Sequence, residues 1–129
     1  MAGLGYVDRI CTNRMEIKKT TSGPVVILEL IGDMGLYNIA PFKAMLEELR
    51  QNGNLKIIVN LSKVTGIDSI TIGLFILETT RFETSRGALK LSSLSASVTK
   101  SFQIINVFSM LEIYENDAQA LASFSETLG

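Results

Sequence analysis

Apolar residues recur along this chain with two alternating periods. Arg14-Met15-Glu16-Ile17-Lys18-Lys19 alternates polar and apolar, the pattern of a half-exposed strand. Pro24 to Ile31 is denser, and its continuous Val25 to Leu28 run predicts the more buried strand of a pair. The cluster Thr20-Thr21-Ser22-Gly23 between them is a turn signal, so the two segments are expected to form a hairpin. Gly32-Asp33-Met34-Gly35 is expected to break the second strand. Asn38 then stands where a helix cap is needed, with Pro41 in the first turn, where a missing N–H is harmless. Phe42, Met45, Leu46 and Leu49 follow at helical spacing and form one apolar face, which Asn52-Gly53 ends.

Lys56 to Leu61 is a short β-branched run of the kind found in interior parallel strands. The junction Val64 to Gly73 comes next, and a helix is predicted from Ser69 to Ser85. That helix is apolar almost all round. Ile70, Leu74, Leu77 and Arg81 lie along one line, while Ile72, Phe75, Ile76 and Phe82 fill much of the rest. Such a helix is either sandwiched in a core or carries a face for a partner. Gly73 inside it suggests close approach of the helix backbone to the sheet, and Gly87 suits the left-handed position after its end. Ala88 to Leu91 reads as a strand. Ser95 can cap a third helix bearing Val98, Phe102 and Ile105, with Asn106 as its left-handed stop. Leu111 to Tyr114 alternates as a last strand. Asn116 or Asp117 then caps a final helix with Ala118, Leu121, Ala122 and Ser125 on one side.

The order β-β-α-β-α-β-α-β-α predicts one α/β domain: a mixed, mostly parallel sheet with an opening hairpin, spanning residues 14–129 behind a loose leader at 1–13. Sites in such sheets sit beyond the C-terminal ends of the strands. Two loops qualify, Gly32 to Tyr37 and Ser62 to Ser69.

Composition narrows the chemistry. The 129 residues are enough to bury a core without disulfides or metal, and 47% of them are hydrophobic. No apolar run is long enough to span a membrane, and the N-terminus lacks the features of a signal peptide, so the expected location is cytoplasmic without membrane insertion. Twelve basic and 13 acidic residues without a block of like charge argue against nucleic acid as a partner. Cys11 is alone and cannot form an internal disulfide. The absence of histidine excludes Ser-His-Asp and Cys-His catalysis and the usual His-containing zinc sites. No phosphate-cradling glycine motif or close acid cluster is present, so neither enzyme activity, metal nor cofactor is expected.

What remains is the junction. Asp68 and Ser69, with Thr71 two residues on, lie at a helix N-terminus, where free N–H groups and the dipole favour negative charge. Either Asp68 or Ser69 can serve there as a simple cap. The segment Ile57-Ile58-Val59-Asn60-Leu61-Ser62-Lys63-Val64-Thr65-Gly66-Ile67-Asp68-Ser69, followed by Ile113-Tyr114-Glu115-Asn116-Asp117-Ala118-Gln119-Ala120-Leu121, resembles the STAS domain family of anti-sigma-factor antagonists and their relatives. The resemblance runs from about Arg14 to Thr127.

It implies a small cytosolic regulatory module that binds an anti-sigma factor acting as a serine kinase of the ATPase type. Phosphorylation at the helix start separates the pair, and a phosphatase restores it. The antagonist branch of the family commonly modifies the second hydroxyl of Asp-Ser-Ser-Gly-Leu-Gly, a position held here by Ile70. Stressosome-type members modify the hydroxyl directly after the Asp, which makes Ser69 the candidate, with Thr71 as fallback. The expected docking surface joins Asp33, Met34 and Tyr37 of the first loop to Asp68, Ser69 and Thr71, on a monomer or weak homodimer. Two other readings stand beside this one: an unphosphorylated STAS scaffold or accessory subunit of a lipid-transport ATPase, and, less favoured, a nucleotide-binding enzyme.

Overall fold

The computed structural model describes residues 8–12 and 15–126. Strands β1 (Asp8–Thr12), β2 (Met15–Ser22) and β3 (Val25–Met34) lead into helix α1 (Ala40–Gln51). Strand β4 (Lys56–Ile67), helix α2 (Ser69–Thr84), strand β5 (Ala88–Ser92) and helix α3 (Ala96–Ile105) follow. A 3-10 turn at Phe108–Met110 precedes β6 (Ile113–Tyr114) and helix α4 (Asp117–Glu126). The strands form one six-stranded sheet in sequence order, antiparallel from β1 to β3 and parallel from β3 to β6.

The expected hairpin is β2–β3, closed at Gly23-Pro24 with Gly23 at φ +58°, where a side chain would be strained. The stretch read as a loose leader contains β1, an edge strand paired with β2 from Asp8↔Lys19 to Thr12↔Met15. Pairing to a formed neighbour, rather than its own periodicity, makes it a strand. The rest of the leader and the outer limits of the predicted domain lie outside the described residues.

Laying parallel strands side by side in sequence order, with crossovers of one hand, puts their connecting helices on one face. Accordingly, Phe42 and Leu46 of α1, Phe75 and Phe82 of α2, and Val98 and Phe102 of α3 share a single core with Leu28, Ile57, Val59, Leu61, Leu89 and Leu91. Phe42 meets Phe75 edge-on at 5.7 Å between ring centroids and locks α1 to α2. The opposite face holds a smaller core of Val25, Ile58, Ala120 and Phe124 beneath α4. That helix buries Ala120, Ser123 and Phe124, whereas Ala118, Ala122 and Ser125 of its predicted face are exposed. Phe124 has more apolar surface to hide than any alanine and sets the rotation of the helix. Asn116 is its cap, accepting from the Gln119 N–H at 2.8 Å. Asp117 fastens it to the sheet through Asn60 (3.0 Å) and Ser92 (2.5 Å).

Two glycines act differently from expectation. Gly73 faces open space, with nothing within 4 Å of where a Cβ would stand, so it reflects no close helix–sheet approach. After α2 it is Arg86, at φ +69°, that takes the left-handed position. Gly87 instead lies against the Leu55 carbonyl, where any Cβ would clash with backbone. Ser95 and Asn106 cap α3 as predicted, with Asn106 left-handed at φ +62°. Among the described residues no helix is long and apolar enough to cross a membrane.

Candidate functional site

Half of the first loop singled out in the sequence, and most of the second, is strand. β3 does not stop at Gly32, and β4 runs on through Ser62 to Ile67, pairing Gly32↔Val64, Asp33↔Gly66 and Met34↔Ile67. The register slips between Glu29 and Ile31 and again between Gly32 and Asp33, each time with one extra residue on β4. Such bulges let a glycine-rich, polar stretch continue a ladder that local composition reads as a break. The Asn60 side chain supports the first slip by accepting from the Ser62 N–H at 2.9 Å. The ends of these two strands form the platform of the site.

Two acids nest there, each against a glycine of the opposite strand or its exit. A Cβ on Gly66 would stand 2.5 Å from Asp33 Oδ1, and one on Gly35 would stand 3.0 Å from Asp68 Oδ2. Asp68 is the N-cap of α2. Its Oδ1 accepts from the Thr71 N–H at 2.9 Å and from the Thr71 hydroxyl at 2.8 Å. Its other oxygen, Oδ2, accepts from the Leu36 N–H at 3.0 Å. One carboxylate thus clips the start of α2 to the turn after β3. Burial pushes the Asp68 carboxyl up, but the bonds from Thr71 and Leu36 outweigh it and hold the group below its ordinary value.

Asn38 braces the same turn rather than capping α1. Its Oδ1 accepts from the Gly35 N–H at 2.9 Å, and its Nδ2 donates to the Asp33 carbonyl at 2.7 Å. Ile39 is left at the N-cap position of α1 with no side-chain bond, and Pro41 removes one of the donors that would have needed it.

The predicted site residues therefore separate. Asp33, Tyr37 and Ser69 are exposed and Asp68 is half-buried, all around one end of the sheet. Met34 is buried in the core, and Thr71 is fully buried with its hydroxyl committed to Asp68. Neither can meet a partner. Ser69 occupies the first turn of α2 with an exposed side chain whose hydroxyl has no hydrogen-bond partner among the described residues. Pattern reading missed Leu36 (61% exposed), Ile70 (50%) and Leu77 (45%), which join Tyr37 (90%) as uncovered apolar groups. The all-round apolarity of α2 was the signal for Ile70 and Leu77, and Leu36 lies inside the Gly32 to Tyr37 loop already singled out. Ser95, at the start of α3, donates to the Val64 carbonyl at 2.7 Å and ties that helix to the same end of the sheet. Among the described residues no group of three or more Asp, Glu or Cys side chains is placed to hold a metal.

The STAS domain family matches residues 16–120, a span that contains β2 through the first turn of α4 and every site residue above. The chain belongs to the STAS domain family. The anti-sigma-B factor antagonist of Staphylococcus aureus (strain NCTC 8325 / PS 47) is 24% identical over 101 residues, 78% of this chain and 94% of that protein. Among solved structures, the anti-sigma factor antagonist SpoIIAA in its unphosphorylated form aligns with a TM-score of 0.68 at 18% identity, covering 93% of this chain and 96% of that one. The phosphorylated form of the Bacillus cell fate determinant SpoIIAA aligns at 0.61 and 18% identity, covering 92% and 98%. At such identities the structural likeness is one of fold. As a STAS domain, the chain carries the α2 junction at the C-terminal end of its parallel strands.

Proposed function

We propose that this STAS domain is a non-enzymatic cytoplasmic switch, docking an anti-sigma factor that is also a serine kinase of the ATPase type and released from it by phosphorylation of Ser69. A phosphatase would reverse the step. The observation that carries the reading is the contrast within one helical turn: Ser69 is exposed with an uncommitted hydroxyl, while Thr71 is buried and bonded to Asp68. Ser69 is therefore the acceptor in this reading, and the fallback Thr71 is set aside. Further support comes from the apolar groups Leu36, Tyr37, Ile70 and Leu77 around it, since uncovered aromatic and aliphatic side chains beside polar ones are the composition of a protein contact. SpoIIAA, which shares the fold, has been solved in phosphorylated and unphosphorylated forms.

Phosphate would add about −1.5 to −2 charges at the first turn of α2. The helix dipole favours it by about 0.3–1 kcal/mol, and adjacent Asp68 opposes it. The fold should consequently change little, while a dianion brought into a desolvated apolar contact weakens docking by several kcal/mol, on the order of 2–5. The test is incubation with an ATPase-type kinase and ATP, followed by mass mapping. Expected is a single phosphate on Ser69 that Ser69→Ala abolishes, with partner affinity falling on modification. Phosphate confined to positions outside 65–72, or a Ser69→Ala protein that retains all switching, would overturn the proposal.

A further inference from the structure

We propose that the groove at the opposite end of the sheet from Ser69 binds a single-chain amphiphilic anion, with a medium-chain carboxylate as the simplest ligand of this class. Lys56 and Ala88 begin the parallel strands β4 and β5 there. Two adjoining cavities, of about 330 and 280 Å3, share Lys56 and Phe124 as walls. They differ in chemistry. The first presents the cations Lys56, Arg86 and Lys90 against one acid, Glu112. The second is walled mainly by Pro24, Val25, Leu121 and Phe124.

Lys90 is the unexpected member. It is 2% exposed on the α4 face of β5, where it projects into the smaller core. A buried ammonium is costly unless its donors are used. It has three N–H donors. One reaches Ser123 Oγ at 2.7 Å, and Ser123 in turn donates to the Ala120 carbonyl. Glu112, itself 46% exposed, stands at 3.5 Å, and the ammonium lies 4.2 Å from the Phe124 ring centroid. Its donors are thus taken up by Ser123, Glu112 and the Phe124 ring, with the Tyr114 ring 5.6 Å away. Lys90 therefore adds positive charge to the cavity wall, while Lys56 and Arg86 are the cations open to a ligand. Lys56 and Arg86 pair with no carboxylate of the described residues. Arg86 also holds a left-handed backbone at a position that favours glycine, so its side chain is presented from a strained site.

The occupant follows from complementarity. A small inorganic anion would neutralise the cations but leave the Val25, Leu121 and Phe124 wall wet. An uncharged chain would cover that wall and leave the cations unmatched. Only a ligand with an anionic head and one apolar tail satisfies both cavities. The proposal is independent of the Ser69 reading, because the two sites lie at opposite ends of the strands.

Titration of the full chain with decanoate, by calorimetry and by amide chemical shifts, tests it. Expected is saturable one-site binding with shifts centred on Ala88, Leu121 and Phe124. Decanol and acetate should each bind about tenfold more weakly or worse, and so should decanoate to the Lys56→Gln, Arg86→Gln double variant at unchanged melting temperature. Non-saturable binding, shifts centred elsewhere, or equal affinity for decanol or for the double variant would overturn it. The shift map on the unaltered chain decides the matter even if the variant folds poorly.

Discussion

At the scale of single residues the site depends on a carboxylate used twice. Asp68 satisfies donors of α2 with one oxygen and of the β3 exit with the other, and Gly35 leaves room for it. Replacing Asp68 by Ala removes both, and we expect a loss of about 1–2 kcal/mol, the range for an N-cap. The pH dependence has a definite sign. Because the folded state holds this carboxyl below its ordinary value, its contribution is fully present at neutral pH and fades as pH falls through and below the usual carboxylate range. Denaturant melts of both proteins should therefore converge toward acid pH; a difference that grows on acidification would contradict the assignment. The acid–hydroxyl pair was legible in the sequence as chemistry at a helix start. Which oxygen contacts which donor was not, because Leu36 reaches Asp68 across 32 positions of chain.

At the scale of elements, α2 is a helix with two apolar faces of different fate. Ile72, Phe75, Thr79 and Phe82 are buried, while Ser69, Ile70, Gly73 and Leu77 are exposed. Gly73 sits on the open side, so Gly73→Ala should stabilise the domain by about 0.5–1 kcal/mol from backbone entropy and helix propensity alone. A thermal melt checks this, and a destabilised variant would mean that the open face is covered. The buried side has its own liability in Glu78, whose Oε1 has no hydrogen-bond partner among the described residues. Burial raises its carboxyl above the ordinary value, with Arg81 and Arg50 offsetting only part of the effect. A raised carboxyl helps folding below its unfolded value and loses that contribution as pH rises through the folded value. Glu78→Gln should consequently gain about 1 kcal/mol at neutral pH and nothing in acid, as read from stability curves at several pH values. An equal effect at every pH would place the cause in packing instead.

At the scale of the whole molecule, one core under three helices carries most of the stability. Phe75 joins α1, α2 and the sheet, and Phe75→Ala should cost about 3–5 kcal/mol, a large part of a typical domain's total. Equilibrium unfolding measures it; a loss under 1 kcal/mol would show that the centre of the core lies elsewhere. Sequential strand order also explains why the opposite face is less apolar, with Lys90 and Ser92 beneath α4 and the half-buried Lys18 and Glu29 paired beside exposed Lys63.

The sequence by itself determined the class of this protein. Period-2 runs alternating with period-3.6 runs dictate a parallel sheet with crossover helices, and the Asp-Ser junction between an apolar strand and an apolar helix carries the resemblance to the STAS family. Absence of histidine removed most catalytic alternatives. These are local or compositional properties, and local patterns report them. The tertiary structure alone decided how far β3 and β4 extend, since their continuation past Gly32 and Leu61 depends on each pairing with the other. It also made a strand of Asp8–Thr12 by supplying a neighbour and turned α4 onto Phe124. At the junction, it separated two hydroxyls two residues apart, because helix geometry points Thr71 at Asp68 and the core while leaving Ser69 in solvent. That separation is what gives Ser69, rather than Thr71, the proposed role.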